Sequence, residues 1–129
     1  MTQVCVCGLI NHPNNPDLYL AVSRKNNPND FGLPGGKFEK NLDGFNYKNT
    51  AIREALEETG YDIIVFDESF IDIDSENIVI TYLGKTDTTN PKQVLEEGIV
   101  KWLSAPQLIT GSFADYNKKM FDFFGIKYD

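Results

Sequence analysis

Three glutamates on one face of a single helix constrain this chain more than any other feature of it. In the run Arg53-Glu54-Ala55-Leu56-Glu57-Glu58-Thr59-Gly60, a turn of about 100° per residue places Glu54, Glu57 and Glu58 within one arc of roughly 100°. Ile52, Ala55, Leu56 and Thr59 fall on the opposite arc. The acidic arc needs water or a cation. Like charges at i,i+4, here Glu54 and Glu58, weaken a helix by roughly 0.2–0.5 kcal/mol, and Arg53, four residues before Glu57, offsets part of that. A hard divalent cation removes the conflict, because such ions take carboxylate oxygens and keep several waters. Taken alone, a row of glutamates is ordinarily just a solvated face, so its surroundings decide how it is read.

Those surroundings are specific. The helical pattern runs from Tyr47 to Thr59, with Asn46 as N-cap and Gly60 at the left-handed position beyond the last turn. Upstream, Leu33-Pro34-Gly35-Gly36-Lys37 provides backbone with no Cβ at two consecutive positions. Carbonyls or amides of such a loop can approach a metal or a phosphate closely. Pro-Gly turns are frequent by themselves; their pairing with a glutamate helix is much rarer.

The remaining sequence reads as strands followed by helices. Gln3–Ile10 and Leu18–Ser23 are strand-like around an Asn/Pro turn, which predicts an opening hairpin. Asn26–Asp30 reads as a polar loop, and Gly36–Glu39 as a short strand followed by a loop to Asn46. Asp62–Phe66, Ile71–Ile73, Ile78–Leu83 and Gly98–Leu103 read as separate strands. Ser104-Ala105-Pro106 caps a short helix, and Phe113–Phe124 carries the spacing of an amphipathic terminal helix. This order predicts an α/β sandwich with mixed strand directions. With 129 residues and 41% hydrophobic content, one domain spanning 1–129 is expected.

Charge narrows the partners. Nineteen acidic residues against 12 basic ones give a net charge of −7, which repels long nucleic acids and anionic membranes. No basic n-region and no apolar run long enough for a membrane span is present, so the cytoplasm is the default expectation. Cys5 and Cys7 share one strand face and are badly placed to pair with each other; buried free thiols are expected. His12 sits in an Asn/Pro loop with no nucleophile beside it, and is expected to be solvated.

At this point the chain resembles the Nudix hydrolases, whose signature is G-x5-E-x7-R-E-U-x-E-E-x-G-U, with U bulky and apolar. Gly36, Arg53, Glu54, Glu57, Glu58 and Gly60 match in type, Ala55 fills the first U position, and Leu33-Pro34-Gly35-Gly36 matches the usual lead-in. Trp102-Leu103-Ser104 and Leu108 look like the family's late strand and helix. Gly36 and Arg53 are 17 positions apart where the signature has 14. The signature's early Glu has no clear counterpart, since counting reaches Leu42 from one side and Phe45 from the other. Asp43 is the nearest acid, and its replacement by Asn is expected to be mild if it only stands near the place of the missing Glu. Tyr61 stands in place of an aliphatic.

The resemblance implies an α/β/α sandwich with a mixed β-sheet and hydrolysis of a phosphoanhydride bond in a nucleoside diphosphate-linked small molecule. It implies Mg2+ as cofactor, with Mn2+ able to substitute. Glu57 and Glu58 would ligate the metal, joined by the Gly35 carbonyl; Glu54 would ligate it or orient water, and Arg53 would hold a glutamate by charge-assisted hydrogen bonds. Glu96 or Glu97 would supply a further carboxylate. Arg24, Gly35, Gly36 and Lys37 are the candidate substrate contacts, and Phe31, Phe45, Tyr47 and Tyr82 the aromatics available to stack on a base. Asn77 stands where ADP-ribose-cleaving members tend to carry Pro, and Ile78 and Val79 where dinucleoside polyphosphate members tend to carry Tyr. A nucleoside triphosphate cleaved to the monophosphate and pyrophosphate is therefore the first choice. ADP-ribose, a nucleotide sugar, or nucleotide sensing without turnover are the alternatives. A homodimer is left open, and the lengthened loop after Lys37 is expected to choose the substrate's leaving side.

Overall fold

Alternation along the first strand sets the architecture. Val6 and Ile10 point to one side of the sheet, where they meet Ala51, Ala55 and Ile80; Leu9 points to the other, among Tyr19, Ala21, Leu108, Met120 and Phe121. A sheet apolar on both faces must be covered twice, and here it is covered by helices. The computed structural model describes residues 2–94 and 98–129. Its elements are β1 (Gln3–His12), β2 (Asn15–Arg24), β3 (Asn27–Gly32), β4 (Gly35–Lys37), α1 (Lys40–Asp43), α2 (Tyr47–Thr59), β5 (Ile64–Ile73), β6 (Asn77–Lys85), β7 (Val100–Ser104), α3 (Ala105–Leu108) and α4 (Ala114–Phe124).

Among the described residues the strand order is β3-β2-β1-β6-β5, with β4 joined to β1 and β7 to β2. β1 and β6 run parallel, from Gln3↔Asn77 to Asn11↔Lys85, and the other pairings are antiparallel. The sheet is mixed, with α2 on one face and α3 and α4 on the other, which is the α/β/α sandwich. Met120 and Phe121 of α4 and Leu108 of α3 are fully buried against the sheet, and truncating Phe121 to Ala would cost about 3–5 kcal/mol. No helix among the described residues is long and apolar enough to cross a membrane.

The sequence reading needs three corrections. Asn27–Gly32 is a strand rather than a loop: it pairs with β2 through Ser23↔Phe31 and Val22↔Gly32 while Asn27, Pro28 and Asn29 face solvent. Backbone pairing leaves no side-chain periodicity at such an edge. Ile64–Ile73 is one strand with an irregularity between Val65 and Ser69, where the polar residues Asp67 and Glu68 suggested a break. The loop after Lys37 contains a helical turn, Lys40–Asp43.

Candidate active site

Helix α2 is delimited as its end residues dictate. Asn46 Oδ1 accepts from the Lys48 amide, and Gly60, at φ 78°, donates to the Leu56 carbonyl. Thr50, Ala51, Ala55 and Thr59 form its buried stripe; small residues there let the helix lie close on the sheet. That proximity presses the acidic face against β4. Glu58 Oε1 accepts the Gly35 N–H at 2.8 Å. The Glu54 carboxylate lies against Gly36, where an added Cβ would stand 2.5 Å from Glu54 Cδ. Two consecutive glycines thus receive two glutamates.

Ladder geometry also orients Gly35. The Gly8 amide donates to the Pro34 carbonyl and the Phe38 amide to the Val4 carbonyl, so positions 34, 36 and 38 turn their backbone groups to β1. Intervening residues of an antiparallel strand turn theirs away. The Gly35 amide and carbonyl therefore face the α2 side, where Glu58 already takes the amide.

Arg53 is the hub beneath this face. Its Nη1 donates to Glu54 Oε1 at 2.8 Å and to Glu57 Oε2 at 3.3 Å; its Nη2 donates to the Lys37 carbonyl at 3.2 Å. Nε and Nη2 bind the two carboxylate oxygens of Asp43 at 2.7 and 3.1 Å. Asp43 also accepts from Thr50 Oγ1 and the Glu39 amide, and is 2% exposed. The Arg53 hydrogen bond, together with those two donors, holds the Asp43 carboxyl down at about 2. Burial pushes the Glu54 carboxyl above its ordinary range, and Arg53 pulls it back in part.

Asp43 is therefore no bystander. It lies one residue further from Gly36, and two further from Arg53, than the signature's Glu would. The α1 turn absorbs that extra length and swings the shorter carboxylate back under the guanidinium. The expectation of a mild Asp43→Asn does not survive this burial.

Two clefts meet at this face. A polar one of about 340 Å³ is lined by Glu54, Glu57, Glu58, Ser23, Lys25 and Gly98. A larger, mostly apolar one of about 470 Å³ includes Cys5, Cys7, Leu33, Val79, Phe113 and Tyr116, with Arg24 and Asn117, and reaches Gly35 and Gly36. Val22, Ser23, Lys25 and Glu58 line both.

The structure brings Glu54, Glu57, Glu58, Gly35 and Gly36 together, with Arg53 behind them. Among the described residues, no three acidic, Cys or His side chains already converge on one point: Glu54 and Glu57 are turned to Arg53 and Glu58 to the Gly35 amide. Lys37 stands apart from them. Alternation along β4 turns its exposed side chain to the face opposite the Gly36–Glu54 contact; it lines neither cleft and contributes its carbonyl to Arg53. Arg24 lines the larger cleft, but its Nη1 donates to Ser112 Oγ at 3.2 Å. Glu96 and Glu97 lie outside the described residues.

The aromatics expected to stack on a base lie elsewhere. Phe31 sits beneath Lys101, Phe45 is 92% exposed under Lys40, Tyr47 packs on Phe38, and Tyr82 joins the α2-side core. Phe113, in the turn before the terminal helix, and Tyr116, in its first turn, line the cleft instead, and no local signal marks them. Cys5 and Cys7 are free thiols, partly buried in the cleft wall. Cys7 Sγ contacts Thr81 Oγ1, which bonds Tyr116 Oη; burial pushes the Cys7 thiol up to about 11. His12 packs edge-on against Trp102, away from both clefts.

A family comparison agrees with this geometry: the chain belongs to the NUDIX domain family, whose model matches residues 1–124. It is thereby a Nudix-type hydrolase, of a family acting on nucleoside diphosphate-linked small molecules with divalent metal ions. Comparison with curated proteins finds no match. A NUDIX hydrolase from Nitrosomonas europaea is similar in structure at TM-score 0.69 and 20% identity, over 99% of this chain and 93% of that one. The E. coli dihydroneopterin triphosphate pyrophosphohydrolase reaches 0.65 at 19% identity, over 94% and 93%. A UDP-X diphosphatase reaches 0.72 at 17% identity, over 97% of this chain and 62% of that one. At such identities the likeness is one of fold.

Proposed function

We propose that this chain hydrolyses a nucleoside triphosphate to the monophosphate and pyrophosphate in a Mg2+-dependent reaction. The observation that carries the reading is the junction of the two clefts. A wall of glutamates suited to metal-bridged phosphates adjoins an apolar cleft of about 470 Å³, within the usual size range for small-molecule sites. Ser23, Lys25 and Glu58 stand where a ligand would pass from one to the other.

The donor set fits the metal. Glu54, Glu57, Glu58 and the Gly35 carbonyl offer only hard oxygen atoms, the kind Mg2+ takes. Glu57 is turned away by one bond to Arg53 at 3.3 Å and its side chain is 56% exposed, a pairing worth at most about 0.5 kcal/mol. When bound, Mg2+ neutralises charge on the phosphate oxygens and lowers the pKa of an attacking water. Arg53 keeps Glu54 in place through Nη1 while Asp43 fixes the guanidinium from behind. Glu54, aimed across Gly36, orients the water and receives its proton. Lys25 meets the phosphates, and the apolar cleft takes the base.

Incubating the protein with a panel of nucleoside triphosphates, nucleotide sugars, ADP-ribose and dinucleoside polyphosphates, with and without Mg2+, tests this. Release of pyrophosphate from a triphosphate is expected. Turnover only of ADP-ribose or a nucleotide sugar would replace the substrate assignment, and saturable binding without product would make the chain a sensor.

A further inference from the structure

The wall of the larger cleft comes from the far end of the chain, and one carboxylate outside the catalytic face holds it. Asp30, on β3, is 8% exposed. Its Oδ1 accepts from the Ser112 amide at 3.1 Å and its Oδ2 from Ser112 Oγ at 2.6 Å. Arg24 Nη1 stands 3.9 Å from the same Oδ2 and donates to Ser112 Oγ at 3.2 Å. The preceding residue, Gly111, adopts φ +82°, and a Cβ there would stand 2.5 Å from Asp30 Oδ1. The turn is thus shaped around this carboxylate. The following residue, Phe113, lies with its ring against Gly32, where an added Cβ would meet ring carbons at 2.8 Å, and the Arg24 guanidinium stands 5.8 Å from the ring centre. Phe113, Tyr116 and Asn117 then form the cleft wall.

We infer that Asp30 is a positioning residue for substrate: it latches the Gly111–Phe113 turn onto β2 and β3 and so fixes the wall against which the nucleoside rests. Arg24 belongs to this latch rather than to the phosphate contacts. The inference rests on the apolar cleft being the nucleoside subsite. Its consequence is a division of labour. The latch sets how well the nucleoside binds, while the glutamate face, which it does not touch, sets the rate of cleavage. Uniform binding lost in this way raises KM and leaves kcat in place.

The test uses Asp30→Ala, Ser112→Ala, Ser112→Thr and Gly32→Ala, the last moving the Phe113 ring by contact while keeping every bond of the latch. Steady-state kinetics on the best triphosphate are combined with inhibition by inorganic triphosphate, which carries the phosphates and no nucleoside. Asp30→Ala, Ser112→Ala and Gly32→Ala are expected to raise KM about tenfold with kcat within about threefold and the triphosphate Ki unchanged. Ser112→Thr, which keeps the hydroxyl, is expected to restore the wild-type KM. Should Asp30→Ala fail to fold, Ser112→Ala, which removes the hydroxyl held by the same carboxylate, carries the same expectation. A wild-type KM in folded Asp30→Ala or Ser112→Ala would overturn the latch, a wild-type KM in Gly32→Ala would overturn the Phe113 wall, and a Ki that rises in step with KM would overturn the division of labour. Failure of the wild type to bind or cleave any nucleotide would sink both this inference and the function it rests on.

Discussion

Arg53 and Asp43 are joined at both oxygens of one buried carboxylate, through Nε at 2.7 Å and Nη2 at 3.1 Å. The same guanidinium holds Glu54 and Glu57 with Nη1. The orientation of the acidic face is therefore anchored by a residue that touches neither cleft, and both stability and turnover should register its loss.

Asp43→Ala is expected to destabilise the protein by about 3–5 kcal/mol, as removal of one partner of a buried pair does. Asp43→Asn, which keeps the shape, should cost about 2–3 kcal/mol. Turnover should fall about 10- to 100-fold, the usual effect of losing a residue that orients metal-binding groups. Urea unfolding and kcat of Asp43→Asn check this, and a wild-type midpoint would remove Asp43 from the anchor.

The same pair sets an acid limb. The Asp43 carboxyl is lowered from 3.8 to about 2 in the folded protein, so its contribution is complete above about pH 4 and is lost as pH falls through about 2. A shift of that size is worth about 2.5 kcal/mol. The stability gap between wild type and Asp43→Asn should therefore close between pH 4 and 2. A gap unchanged at pH 2 would mean that the carboxyl's charge is not what stabilises the fold.

Shortening the Lys37–Asn46 loop by three residues, to the signature's spacing, should lower stability and slow all substrates alike. The extra length folds into the α1 turn that delivers Asp43, and no α1 residue lines either cleft. This replaces the expectation that the loop selects the leaving side. The check is the ratio of kcat/KM for the two best substrates: a changed ratio in a folded variant would return the loop to substrate selection.

Helix α2 was legible to the residue because its ends are written in side chains, Asn46 that caps and Gly60 that adopts positive φ. The signature glutamates and Gly35-Gly36 were legible because close approach demands small residues on one side and carboxylates on the other. Asp43 was not, since its partnership with Arg53 depends on a helical turn that spacing alone does not reveal. Nor were Phe113 and Tyr116, whose alternation fits an amphipathic helix whether or not its apolar side opens onto a cleft. The β3 strand escaped notice for another reason: its hydrogen bonds are backbone bonds, and its exposed Asn and Pro residues carry a loop's composition.

Glu57→Gln and Glu58→Gln each remove one charge from the proposed metal-holding face while keeping the side chain's size. Each is expected to lower kcat on the order of 10²- to 10⁴-fold. Mg2+ should raise the wild-type thermal midpoint by mass action, about 1.4 kcal/mol at ten times its Kd. Glu58→Gln should lose most of that shift.

The most direct measurement is pyrophosphate release from a nucleoside triphosphate by wild type and Glu58→Gln, each titrated with Mg2+. Wild-type turnover that is absent without Mg2+ and saturates with it, alongside a Glu58→Gln rate that stays down by two or more powers of ten at saturating Mg2+, is the expected result. Equal rates for the two proteins, or full wild-type turnover in chelator, would contradict the glutamate face as the metal-holding centre.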